Sequence, residues 1–282
     1  MNAIEIHGLT KSYPDFTLDH LTLTLPEGCI MGLVGENGAG KSTTIRLLLN
    51  MIRRDSGTVT ILGRDAVQDS MSLKEDIGIV TDEMGIGGCL TPRQVGRIMR
   101  HTFAHWDDAL YVDYLGRFSL PEKKKFGQFS RGMRMKLSIA IALSHHPRLL
   151  ILDEATSGLD PVVRDEILDI FMDFTRDETH SILMSSHIVS DLEKVCDYIA
   201  FLRRGHLLLC EEKDVLRETY ALFHATAEEV NSLPADAVVG RRTSPYGVEA
   251  IVLRDALPNG TELPPVELEQ LFILMSKEAE TR

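Results

Sequence analysis

Apolar and polar positions alternate along the first thirty residues in the manner of strands. Ile4-Glu5-Ile6 and Leu21-Thr22-Leu23-Thr24-Leu25 each put their aliphatic side chains on one face. An unbroken apolar run, Cys29 to Val34, follows, as expected of a strand buried on both faces of a parallel sheet. It leads directly into Gly35-Glu36-Asn37-Gly38-Ala39-Gly40-Lys41-Ser42-Thr43, after which Thr44 to Ile52 reads as a helix. A further pair of strands is expected at Thr58 to Leu62 and Ile77 to Val80. From Thr91 to Ser144 the texture becomes mainly helical. Thr91-Pro92 supplies an N-cap and a first-turn proline. Asp107-Asp108 opens a second helix with apolar Leu110, Tyr114, Leu115 and Phe118, and a third follows Ser130 with Leu137 and Ile141. Strand patterns resume at Leu149 to Leu152, Ser181 to Ser185, Tyr198 to Leu202 and Leu207 to Cys210, with helices between. The pattern predicts a helical insertion within an α/β core.

Residues 218–282 change character again. Thr226-x-x-Glu229 reads as a capping box, Val248 to Leu253 as a strand, and Pro264-Pro265 as a break. An amphipathic helix with Leu268, Leu271, Phe272 and Met275 closes the chain. A small α/β appendage on the main domain is expected, with stabilisation, dimerisation or regulation as its open roles.

The composition narrows the function classes. Of 282 residues, 30 are Lys or Arg and 42 Asp or Glu, a net charge of −12 that argues against a nucleic-acid-binding surface. No apolar run approaches the roughly 18–20 residues of a membrane span, and Met1 to Tyr13 lacks the basic-then-apolar order of a secretory signal. The four cysteines have no C-x-x-C spacing and are expected to be free thiols in a reducing cytoplasm. Any membrane contact would then run through another chain.

Three motifs carry chemistry. Gly35-x-x-x-x-Gly40-Lys41-Ser42 is a full phosphate-binding loop set between a strand and a helix. Small residues there let successive N–H groups converge on phosphate oxygens, Lys41 neutralises the β- and γ-phosphates, and the Ser42 hydroxyl suits Mg²⁺. In Leu149-Leu150-Ile151-Leu152-Asp153-Glu154 an apolar strand delivers two acids at its carboxyl end, where open α/β sheets bind ligands. Asp153 suits Mg²⁺, and Glu154 is placed to orient and deprotonate an attacking water. Phe129-Ser130-Arg131-Gly132-Met133 begins a helix with a serine cap and a glycine, a combination that exposes N–H groups to an anion.

With these motifs in this order, residues 2–217 resemble the ATP-binding cassette (ABC) family, specifically the nucleotide-binding subunit of a transporter of the bacterial antibiotic-exporter type. The resemblance implies a P-loop NTPase core of mixed sheet and helices, an antiparallel β subdomain, an inserted helical subdomain at about 91–144, and an α/β extension from 218. It implies that Tyr13 stacks on adenine, that Gly35 to Thr43 bind ATP, and that Ser157-Gly158-Leu159-Asp160 communicates across a dimer. His187 then matches the switch histidine that contacts the γ-phosphate. Ser130, Arg131, Gly132 and Met133 correspond to a signature that acts in trans, although Arg131 and Met133 replace the usual Gly and Gln. Asp82 stands where the family usually places a Gln that contacts Mg²⁺.

The implied mechanism is a dimer, of two identical or two different cassettes, closing over two ATP to drive an integral-membrane permease subunit, without nucleic acid as partner. The implied location is the cytoplasm, peripheral on the inner face of the membrane. A soluble cassette ATPase in a non-transport process and a non-hydrolysing ATP sensor are the competing classes.

Overall fold

The computed structural model describes residues 1–81, 85–234, 236–245, 247–257, 263 and 265–281. The opening alternation folds into two long antiparallel strands, β1 (Asn2–Tyr13) and β2 (Phe16–Pro26), with Ile4 opposite Leu25 and Ile6 opposite Leu23, all four buried. Next come β3 (Ile30–Val34), every residue of it buried, and α1 (Lys41–Leu48), which starts three residues earlier than the expected helix. β4 (Ser56–Ile61) and β5 (Arg64–Asp65) complete an antiparallel sheet in the order β2-β1-β4-β5. After α2 (Ser70–Asp76) comes β6 (Ile77–Thr81). The two strands expected as a pair are thus present but belong to different sheets, β4 against β1 and β6 against β7 (Leu149–Asp153).

The helical stretch contains α3 (Pro92–Thr102), α4 (Asp108–Arg117) and α5 (Arg131–Leu143). Thr91 forms a reciprocal capping box with Gln94, Asp107 caps α4 by accepting from Leu110 N, and Ser130 caps α5 by accepting from Met133 N. α5 lies directly on β6: a Cβ at Gly78 would stand 2.8 Å from the Ala142 carbonyl, so only glycine allows this approach. The last helix of the expected insertion therefore also covers the central sheet.

That central sheet has six strands in the order β10-β9-β3-β8-β7-β6. β8 (Ser181–Ser186) and β9 (Tyr198–Arg203) run parallel to β3, and β10 (His206–Glu212) adds an antiparallel edge. Helices α6 (Pro161–Phe174) and α7 (Val189–Val195) connect and cover the strands. The register puts Val34 opposite Ser186 and Asp153 opposite Ser185, so the carboxyl ends of β3, β7 and β8 lie side by side. Segments far apart in sequence converge there, at the edge where parallel sheets bind ligands.

Beyond α8 (Lys213–Thr219) the chain forms β11 (Tyr220–Ala225), α9 (Ala227–Ser232), β12 (Val238–Ser244), β13 (Gly247–Leu253) and α10 (Leu268–Thr281). The strands make an antiparallel sheet, order β11-β13-β12, and the Thr226–Glu229 capping box opens α9. Leu268, Leu271 and Phe272 of α10 join the same apolar cluster as Phe201 and Ile199 of β9, with the Phe272 and Phe201 ring centroids 5.3 Å apart. Pro264 lies outside the described residues. All four cysteines are free; burial pushes the Cys196 thiol far up and the Cys210 thiol to about 11, so neither is a reactive thiolate. Among the described residues no helix is long and apolar enough to cross a membrane.

Candidate active site

The loop between β3 and α1 is shaped by its glycines. A Cβ at Gly35 would sit 2.5 Å from the Leu202 carbonyl oxygen, and Gly40 holds φ at 113°, so neither position accepts another residue without strain. The first turn of α1 has no side-chain cap and no acid, which leaves its N–H groups and the positive helix end directed at the loop. Lys41 folds back into this loop. Its Nζ donates to the Gly35 oxygen at 2.6 Å and the Glu36 oxygen at 3.3 Å, and lies 3.3 Å from Glu154 Oε1. An ammonium held by two carbonyls and one carboxylate beside a row of N–H groups can exchange those partners for phosphate oxygens with little rearrangement.

The acids approach from β7. Asp153 Oδ1 accepts from Ser42 Oγ at 3.2 Å and from Ser185 Oγ at 2.6 Å. Ser185 in turn accepts from the Glu154 main-chain N at 3.1 Å, so one hydroxyl orients both acids. Glu154 adopts φ of 54°, an uncommon left-handed conformation for a non-glycine residue, which turns its side chain off the strand and toward the loop. Its Oε2 lies 2.7 Å from His187 Nδ1. Because a carboxylate only accepts, Nδ1 carries the hydrogen and Nε2 is directed elsewhere.

These groups line a cleft of about 890 Å³, a volume suited to a nucleotide. Glu36, Asn37, Gly38, Ala39, Gly40, Lys41, Ser42 and Thr43 line it together with Asp153, Glu154 and His187. Tyr13 stands farther out, 42% exposed, its ring 6.5 Å from that of Phe16, and it is Phe16 that lines the wall. Arg131 also lines this same-chain cleft, whereas Ser130, Gly132, Met133 and Asp160 do not. Ser130 caps α5 and Asp160 caps α6 by accepting from Val163 N at 3.1 Å. Asp82 lies outside the described residues; Thr81 before it lines the cleft.

Sequence reasoning missed Phe16 and Ser185. Phe16 is the first residue of β2 and carries no motif, while Ser185 ended the expected strand Ser181 to Ser185 without a role of its own.

The donor set also bears on metal binding. No cluster of three His, Cys, Asp or Glu side chains converges among the described residues. The nearest arrangement is one hydroxyl and one carboxylate, Ser42 and Asp153, which fits a hard octahedral cation that keeps waters and takes phosphate oxygens, as Mg²⁺ does.

Comparison with known proteins agrees with this geometry. The family model described as ABC transporter matches residues 18–157. The bacitracin transport ATP-binding protein BcrA of Bacillus licheniformis is 36% identical over 73% of this chain and 68% of its own length. The lantibiotic transport ATP-binding protein SrtF of Streptococcus pyogenes is 33% identical over 78% of this chain and 96% of its own. Among solved structures, an ATP-binding subunit of an ABC transporter superposes with a TM-score of 0.69 at 25% identity, covering 76% of this chain and 92% of that one.

Proposed function

The chain belongs to the ABC transporter family, and on that premise we propose that it is the ATP-hydrolysing subunit of an exporter of antibiotics such as bacitracin or a lantibiotic. In this reading the glycine loop and the first turn of α1 hold the phosphates of ATP, Phe16 and Tyr13 face the base, and Lys41 leaves Glu154 to neutralise the β- and γ-phosphates. Glu154, freed from Lys41 and steadied by His187, accepts a proton from water as that water attacks the γ-phosphorus. The bond to the β–γ bridging oxygen breaks, and ADP and inorganic phosphate result. His187 Nε2, once it too carries a hydrogen, is the group left to donate to the γ-phosphate. Mg²⁺ held by Ser42 and Asp153 would neutralise charge building on the phosphate oxygens.

A single chain supplies only one side of such a site. Ser130 and Gly132, at the capped start of α5, lie outside their own cleft and offer a second copy's nucleotide an anion-binding helix end. We therefore propose an ATP-bridged dimer, with Asp160 at the interface, docked through the segment 91–144 on an integral-membrane permease subunit at the cytoplasmic face. The domain division this implies is an ATPase unit over 2–217 and an extension over 218–282.

The observation that carries the reading is the Lys41–Glu154–His187 chain beside the Ser42–Asp153 pair. Co-expression with its membrane subunit should raise cellular tolerance to bacitracin or a lantibiotic, and Glu154→Gln should abolish the gain. Undiminished tolerance in that variant would defeat the motor role. Phosphate release without any effect of a membrane subunit would favour a non-transport ATPase.

A further inference from the structure

Helices α6 and α7 carry a charge pair outside the cleft. Asp191 lies on α7, one turn beyond His187, and is only 5% exposed. Arg164 lies on the first turn of α6, with Nη1 3.7 Å from Asp191 Oδ1 and Nη2 donating to the Leu159 main-chain oxygen at 3.4 Å. One guanidinium thus touches both the helix that follows the switch histidine and the turn that ends in Asp160.

The pair is only half made. Arg164 Nε and Asp191 Oδ2 are both buried, and neither has a hydrogen-bond partner among the described residues. Buried charged groups left in this state favour any movement that completes them. A shortening of the 3.7 Å separation by about 1 Å would reach charge-assisted bonding distance and offer the idle atoms to one another.

We propose that Arg164 is a positioning residue that transmits the state of the His187 loop to the Leu159–Asp160 turn. Engagement of His187 shifts α7 and seats Asp191 on the guanidinium. The guanidinium then fixes the Leu159 carbonyl, and with it Asp160, in the position that faces the second copy. This rests on the ATPase reading above, in which His187 meets the γ-phosphate and Asp160 lies at the dimer interface.

A second ion pair, between Lys194 and Asp165, spans the same two helices at the surface and provides a control for simple docking of α6 on α7. The test measures ATP affinity in dilute full-length chain, steady-state phosphate release and thermal unfolding for Arg164→Met, Asp191→Asn and Lys194→Met. The expected result for the first two is ATP affinity within about twofold of the parent and kcat lower by about tenfold, the size of effect typical of coupling residues. The reversed pair, Arg164→Asp with Asp191→Arg, should recover much of the Tm but not the turnover, because a carboxylate at position 164 cannot donate to the Leu159 oxygen. Lys194→Met should match the parent in all three measurements.

Parent-like kcat in both Arg164→Met and Asp191→Asn would overturn the proposal. So would an equal loss in Lys194→Met, losses of kcat that merely track a lowered Tm, or full turnover in the reversed pair, which lacks the donor to Leu159. Should Arg164→Met fail to fold, Asp191→Asn reports alone. If Glu154→Gln never dimerises with ATP, the underlying reading fails instead, and this inference falls with it.

Discussion

Replacing Glu154 by Gln separates the chemical role of that carboxylate from its structural one. The two side chains are nearly isosteric, and the main-chain features that place residue 154, φ of 54° and its N–H on Ser185, do not depend on the side-chain charge. What disappears is the one group in contact with both Lys41 (3.3 Å) and His187 (2.7 Å) that can accept a proton from water. Loss of a positioned general base costs about 10²–10⁴ in rate, or about 3–5.5 kcal/mol of transition-state stabilisation. The same change releases Lys41 from its carboxylate, so ATP should bind at least as tightly as before. Phosphate release under saturating ATP, paired with a direct ATP titration, reads both quantities. A variant with parent-like turnover would refute the assignment of Glu154 as base. A variant that lost affinity and turnover together would contradict the release of Lys41 and make residue 154 part of nucleotide binding.

Three further outcomes follow from particular contacts. Lys41→Ala leaves the phosphate loop without its buried ammonium; losing a charge-assisted phosphate contact should weaken ATP binding by roughly tenfold or more, and an unchanged Kd by titration would contradict the cradle. Phe272→Ala opens a hole against Phe201 and should cost about 3 kcal/mol or more in urea unfolding as one cooperative transition; a separate, early transition with the rest unchanged would mean the terminal segment stands on its own. Burial holds the His145 imidazole below its ordinary pKa of 6.5, against the raising effect of the Ile77 and Ile141 carbonyls. The unfolded chain therefore binds the proton more readily, so His145 contributes stability in full above pH 6.5 and loses it as pH falls toward the lowered value. His145→Gln should flatten that acid-side slope, and an identical slope in both proteins would count against it.

Elements with a strong local signal were legible in the sequence: the all-apolar Ile30–Val34 strand, the glycine loop, and the caps at Thr91, Asp107, Ser130 and Thr226. Pairing was less so. Nothing in the residues Thr58–Leu62 and Ile77–Val80 says that they enter different sheets, because partner choice is set by long-range packing. The edge strand β12 was invisible for a local reason. Its sequence, Val-Val-Gly-Arg-Arg-Thr-Ser, has no alternation, and its close packing relies on Gly240, where an added Cβ would meet the Leu274 backbone at 2.5 Å.

Within the site, Lys41, Ser42, Asp153 and Glu154 were placed by motif and His187 by the family resemblance alone, and the structure brings all five to one cleft. Phe16, Ser185 and the Arg164–Asp191 pair depend on strand register and helix packing, which no spacing in the sequence encodes.

The composite nucleotide site is tested most directly by the solution mass of Glu154→Gln, measured by light scattering with and without MgATP. Addition of ATP should double the mass, and adding Ser130→Arg to the same chain should keep it at that of one copy while ATP still binds. A mass that stays at one copy with ATP bound, with the membrane subunit present as well as absent, would contradict a site shared between two chains.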